Sequence, residues 1–484
     1  MDKLNKAIKR LDEKSYQHLL SSIANSSNDH PYVVLESARH KNLEDKEMIQ
    51  VLQVNRSTYY TIKSRLYTKV ASILSKEIEN PIGVLMEKVA KVRANLFGSN
   101  RQITIVSLTD LEKELIRYDL SSELIVVYKA LSLIHIHGEK HDHYQKLHDK
   151  HVAFSLAVSK AEDLFYRFNK MMGQYLLTRN ESDLEIVKKI RRELSNIHEL
   201  YDSHRLFVFN NITRIHFWCL TPRPIGWLRS KEVEIETILE KVRKIIGENY
   251  LDTFYQNIKA LVDCLYFTYY TKIENMPRAE HYNKKLAPDI PALAKKYFMT
   301  FYIIQFLESK IQKFLLDGNK DSLSEINKAL EDNLDIEENE TYHYVAYQRF
   351  LAVAKFYEGD FAASAKIIYN IRNELSLVSF PYFEAECKLF QALQYSLIGE
   401  EDLCLHNVGS IVRKVGRSHP VFEQVRLFSR LLRSTSRQKK FKVKLNHIKN
   451  LWSQFEKKRN PEFPLLWFLD MDESVMNKIA EPVK

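Results

Sequence analysis

The triplets Pro381-Tyr382-Phe383, Pro420-Val421-Phe422 and Pro461-Glu462-Phe463 repeat one Pro-x-Phe start at intervals of 39 and 41 residues, with Gly318, Gly359 and Gly399 falling between such starts. A period of about 40 residues points to stacked two-helix units, because each unit leaves an apolar seam that a neighbour must cover. Proline fits the first turn of a helix, where its missing N–H has no partner to lose. Ser379 and Ser418, two residues ahead of their prolines, are placed to cap. The preceding glycine supplies the positive φ of a sharp turn inside each hairpin.

Composition points the same way. Eleven glycines in 484 residues is well below the usual share of roughly 7%, which suits helices and disfavours folds that cradle phosphates on glycine-rich loops. With 45% apolar and 11% aromatic residues, the chain can bury more core than one ordinary globular domain holds, and a quasi-linear stack escapes that size limit. Residues 1–17 are charged and lack the apolar run of a secretion signal. The most apolar stretches, 206–220 and 297–307, are interrupted or too short to span a bilayer. Cys219, Cys264, Cys387 and Cys404 lie far apart, with no metal or redox spacing. The expectation is a cytoplasmic protein with reduced, buried thiols, no cofactor and no membrane partner.

Four segments are expected: residues 1–80 as an N-terminal domain, 81–99 as a connecting helix or linker, 100–455 as the helical body and 456–484 as a cap on its last open face. Asn80-Pro81 marks the first boundary, since the residue before proline disfavours helix. Within the first segment, 44–52 predicts a short helix, 53–55 a tight turn and 56–74 a longer helix. Tyr59, Ile62, Leu66, Val70 and Ile73 step by three and four and so face a core. Arg56, Ser57, Tyr60, Thr61, Ser64 and Arg65 lie on the outer face or its flanks. No acidic residue stands between Glu47 and Glu77, whereas Arg56, Lys63, Arg65, Lys69 and Lys76 are basic. Such a face suits phosphates. It carries small hydroxyls where a base-reading helix has Asn, Gln or Arg, so packing on the body or on another chain is an equal reading. In the body, Gly138, Asn180, Gly226, Met276-Pro277 and Pro288/Pro291 mark further turns, and 218–227 predicts a bulky loop.

The hairpins around Gly359 and Gly399 resemble tetratricopeptide repeats. Ala352 and Ala392, seven residues before the glycine, and Ser364 and Cys404, five after it, match the family's small positions; Phe361 and Tyr395 match its large ones. Lys355 and Glu401 depart from it, as do Ile311 and Leu323 around Gly318. The resemblance covers about 80 residues and implies a superhelix whose groove receives a peptide or protein segment; a globular helical bundle is the alternative. Residues 45–70, with Val54-Asn55-Arg56-Ser57-Thr58 and Ser64-Arg65-Leu66, resemble the helix-turn-helix of bacterial regulators and of the promoter-reading region of sigma factors. That likeness implies a helix from Arg56 in the major groove.

A second basic feature is larger. Residues 403–455 carry 12 Lys and Arg against Glu423 alone. Arg426, Arg430, Arg433 and Arg437 step by four, three and four onto one helix face, with Lys439, Lys440, Lys442 and Lys444 extending it and Phe441 placed to stack on a base. An acidic partner or a solvated face both explain such a stripe. Six histidines fall within 135–151; His137 and His141 have the i, i+4 spacing of metal ligands, but Gly138 between them and the lack of an accompanying Cys or Glu favour a polar hairpin tip. No phosphate loop or nucleophile motif is present. The sequence therefore predicts an all-α chain, an N-terminal helix-turn-helix-like domain followed by an α-solenoid. It is expected to act without catalysis as a regulator or adaptor on a peptide, a protein or DNA. A scaffold that binds only protein is the alternative, and oligomeric state is left open, a dimer included.

Overall fold

The computed structural model describes residues 4, 8, 16–17, 19–20, 23, 30–40, 45–76, 81–98, 100–249, 252–318, 321–331, 336, 340–375, 380–415, 422–435, 440–459 and 464–481. Among them there are helices and turns and no strand. The chain divides into two compact units, Met1–Lys88 and Val89–Lys484.

In the first unit, α1 (His30–His40), α2 (Asp45–Leu52) and α3 (Arg56–Lys76) surround a core that includes Leu35, Met48, Leu52, Tyr59, Leu66 and Val70. The α2–α3 turn is tight because Gln53 takes a positive φ of 52° and the Asn55 side chain accepts from the Thr58 N–H at 2.8 Å. Tyr59, Leu66 and Val70 are buried and Ile62 packs beside them, as the three-and-four spacing requires. The side chain of Ile73 lies outside the described residues.

A helix α4 (Pro81–Gly98) starts at the predicted proline. The second unit continues through α5 (Arg101–Arg117), α6 (Ser121–Ile134), α7 (Lys140–Thr178), α8 (Glu181–Leu200), α9 (His204–Leu220), α10 (Ile225–Ser230), α11 (Glu232–Glu248) and α12 (Thr253–Lys272). Next come α13 (Met276–Leu286), α14 (Ile290–Leu293), a 3₁₀ turn (Tyr297–Met299), α15 (Thr300–Asp317), α16 (Asp321–Glu331), α17 (Thr341–Glu358) and α18 (Phe361–Glu374). The last helices are α19 (Pro381–Ile398), α20 (Glu401–Lys414), α21 (Phe422–Thr435), α22 (Phe441–Glu456), α23 (Pro464–Trp467) and α24 (Glu473–Ala480).

Gly318, Gly359 and Gly399 end α15, α17 and α19 at φ of 73°, 84° and 87°, where an L side chain would be strained. From α17 to α22 each helix packs on the next, and α19 also meets α21. The small residues explain how closely they approach. Ala352 and Ala392 are fully buried, and the Ser364 hydroxyl donates to the Ala352 carbonyl at 2.6 Å while accepting from the Gln394 amide at 2.7 Å, joining α17, α18 and α19. Pro381 opens α19. Pro420, Pro461, Ser379 and Ser418 lie outside the described residues.

Not every contact is between chain neighbours. The 39-residue α7 packs on α17 and α19 as well as on α6, α8 and α9. A single apolar cluster runs from Ala157 to Ala480. Gly226 sits inside α10 rather than in the turn predicted for it; the break is Thr221–Pro224, with Trp218 edge-on to Trp227 at 5.6 Å. All four cysteines are buried free thiols. No helix among the described residues is long and apolar enough to cross a membrane.

Candidate functional site

On α3 the outer positions fall as their spacing dictates: Arg56, Ser57, Tyr60, Thr61, Ser64 and Arg65 are all exposed. Two local interactions reduce what that face can offer. The Thr61 and Thr68 hydroxyls donate back to the Ser57 and Ser64 carbonyls at 2.9 and 3.1 Å, so as donors they are already used. Lys63 does not extend the basic face. It pairs with Asp45 at 2.6 Å, and the same carboxylate accepts from Tyr59 and Tyr60 at 2.9 and 3.0 Å. Asp45 falls three residues outside the acid-free stretch of sequence, so charge counted along that stretch alone overestimates this face. Arg56, Arg65 and Lys69 remain as its exposed cations.

The second basic stripe is partly dismantled by helix phase. Arg430 and Arg433 are exposed on α21 and Lys440 at the start of α22, but Arg426 is half-buried and its Nη2 lies 3.0 Å from Glu423. Arg437 and Lys439 lie outside the described residues. Lys444 does not belong to the stripe. It shares the core face of α22 with Ile448, Trp452 and Phe455 and is itself 5% exposed. Phe441 is exposed, as a stacking ring would need to be.

The histidines separate. His137 is exposed in the α6–α7 turn, His141 meets the Ser132 carbonyl at 2.9 Å, His148 meets Asp149 and His151 meets the Ser121 hydroxyl. Among the described residues no three His, Cys, Asp or Glu side chains converge on a common point.

Two recesses in the second unit were not foreseen. The first, of about 580 Å³, lies between α7, the start of α15 and the start of α17. Tyr166, Lys170 and Gln174 step by four along α7 to form one wall; Phe298, Phe301, Tyr342, His343 and Phe380 form an aromatic one. Burial holds the His343 imidazole below its usual pKa, although Glu340 at 3.2 Å pulls the other way. Gly173 permits this packing, because a Cβ there would stand 2.6 Å from the Tyr342 ring.

The second recess, of about 440 Å³, is bounded by the ends of α7, α9 and α12, by α15, and by α23. Arg179, Arg223 and Lys272 line it, with Glu308 as its carboxylate. Glu308 is engaged by Arg349 at 2.7 Å. Arg179 caps α7 in the left-handed region at φ 55°, and its Nε is buried without a partner. Gln305 lines this recess and donates to the Tyr342 hydroxyl, which lines the other. Behind it, Glu386 is 4% exposed and its pKa is pushed up to about 8 by burial, against the opposing fields of Arg349 and Arg179. One signal for this cluster was legible. Arg349 and Glu386 interrupt otherwise apolar helical faces, and a buried polar residue in such a place needs a partner.

No family model, no curated protein and no solved structure matches this chain.

Proposed function

We propose that this chain is a non-enzymatic binding protein whose helical-repeat body, a solenoid of tetratricopeptide-like hairpins, receives an extended peptide segment. The aromatic recess between α7, α15 and α17 carries the reading. Its size and its mixture of ring faces with a few polar groups suit anchor side chains of a peptide. The left-handed glycines and buried small residues of α17–α20 support the repeat. The test is selection of a random peptide library on the full chain, followed by affinity measurement on Tyr166→Ala and Gln174→Ala, both at exposed positions. Peptides losing about tenfold in affinity, roughly 1.4 kcal/mol, on either variant support the reading. Peptides that bind the variants unchanged, or no enrichment at all, sink it.

A second role follows from the α2–α3 pair. Arg56, Arg65 and Lys69 on an exposed helix suit duplex DNA, and the tight turn at Gln53 suits a helix-turn-helix. With the Thr61 and Thr68 hydroxyls donating to its own backbone, α3 contributes mainly phosphate contacts. Binding should then depend steeply on salt and weakly on sequence. Arg56→Ala or Arg65→Ala should each lower the slope of log affinity against log salt by about 1. An unchanged slope in a mobility-shift titration favours the alternative, a scaffold that binds protein alone through Arg430, Arg433 and Lys440.

A further inference from the structure

The 440 Å³ recess is lined by three cations and one carboxylate. Arg179, Arg223 and Lys272 face it, and its lining carboxylate, Glu308, is committed to Arg349. Lys272, at the last turn of α12, has no ion-pair partner among the described residues, and burial lowers its pKa. Arg179 has none within ion-pair distance either, and Glu308 and Glu386 reach it only through their longer-range fields; its guanidinium lies over the Tyr175 ring at 5.7 Å and its Nε is unsatisfied. Arg223 stacks on Trp227 at 4.2 Å and donates from Nε to the Thr221 hydroxyl at 3.3 Å, which leaves its terminal N–H groups over. Unpaired cations taken out of water weaken a fold unless something else compensates them. Among the other lining residues, Thr268, Ser309 and Gln312 are polar, whereas Trp467 and Phe468 form an apolar wall.

We propose that this recess is a binding site for a small phosphate monoester with an apolar or aromatic body, the phosphate held by Arg179, Arg223 and Lys272 and the body laid against Trp467 and Phe468. Three cations without a free carboxylate call for a dianion rather than a single carboxylate, and guanidinium groups match phosphate oxygens two at a time. The volume suits a small molecule and excludes a duplex or a folded partner. The site does not depend on the peptide or DNA reading, since none of Arg179, Arg223 and Lys272 lines the aromatic recess or belongs to α3.

The experiment is calorimetric and thermal-shift titration of the full chain with phenyl phosphate, inorganic phosphate and benzoate, each against chloride at equal ionic strength. Phenyl phosphate should bind saturably and more tightly than inorganic phosphate or benzoate. Lys272→Met and Arg223→Met should each lose about tenfold or more in affinity, as expected for a lost hydrogen bond to a charged group. Without ligand, Lys272→Met should melt no lower than wild type, because it removes an uncompensated charge. A phenyl phosphate response no larger than that of chloride, benzoate binding as tight as phenyl phosphate, or full affinity in both variants overturns the proposal. A Lys272→Met protein that melts lower without ligand also counts against it, since the ammonium would then serve the fold.

Discussion

The Glu386 carboxyl lies on α19, within the fields of Arg349 on α17 and Arg179 at the end of α7, and accepts from the main-chain N–H groups of Leu465 and Leu466 on α23. These partners favour its charged form, yet burial outweighs them and raises its pKa from 4.5 to about 8. The folded protein therefore keeps a proton that the unfolded chain has already released. Stability contributed by this group is intact below about pH 4.5 and is lost as pH rises toward about 8. His216 has the opposite sign. Fully buried and stacked on Tyr302 at 4.8 Å, it is pushed down to about 3, so it weakens the fold only as pH falls below its usual 6.5. The window between about 6.5 and 8 belongs to Glu386 in this pair. Urea unfolding of the wild type should show a falling stability across that window, of the order of 1 kcal/mol per pH unit, and Glu386→Gln should flatten it. A wild-type slope retained in the variant would show that another group is responsible. The sequence reveals that a Glu interrupts an apolar face, but the sign of its pH effect depends on which cations and N–H groups the fold brings to it.

At the scale of the element, the packing of α7 on α17 turns on one small residue. Gly173 is buried in the interior of α7, where alanine would ordinarily favour the helix by up to about 1 kcal/mol. Here its Cβ would meet Tyr342 Cδ1 at 2.6 Å, and that ring is 8% exposed and tied to Gln305. Overpacking costs about 1–3 kcal/mol, so Gly173→Ala should lower stability on balance and reshape the aromatic recess that Tyr342 lines. Equal or higher stability in chemical denaturation would mean that α17 can slide away. Helix ends are partly legible in the sequence: the glycines at 318, 359 and 399 and the turn at Asn180 follow from backbone chemistry, whereas the capping bonds of Asn180 and Asp360 are seen only in the structure. The basic stripe was less so. The arginines of α21 give the phase of that helix alone; the phase of α22 is set by Ile448, Trp452 and Phe455, and it carries Lys444 inward with them.

For the whole molecule, the formal charge of +10 is a sum that conceals its distribution. Residues 403–455 carry a net excess of basic groups, yet Lys444 is buried and Arg426 is paired to Glu423, while three further cations gather inside the second unit around the 440 Å³ recess. A linear reading finds charges that are neighbours in the chain; Arg179, Arg223 and Lys272 are 44 and 49 residues apart and come to line one recess only because the ends of α7, α9 and α12 bound it. The same distinction separates what was legible from what was not. Helix, turn and the inward face of each helix are local consequences of steric preference and apolar spacing, so the amino-acid order alone determined an all-α chain, its glycine-closed hairpins and the buried stripe of α3. Which helices meet across long intervals is decided by how whole apolar faces fill space together. Only the tertiary structure brought α7 against α17 and α19, opened the two recesses beside it and set Asp45 against Lys63, because each depends on three-dimensional proximity that no local periodicity encodes.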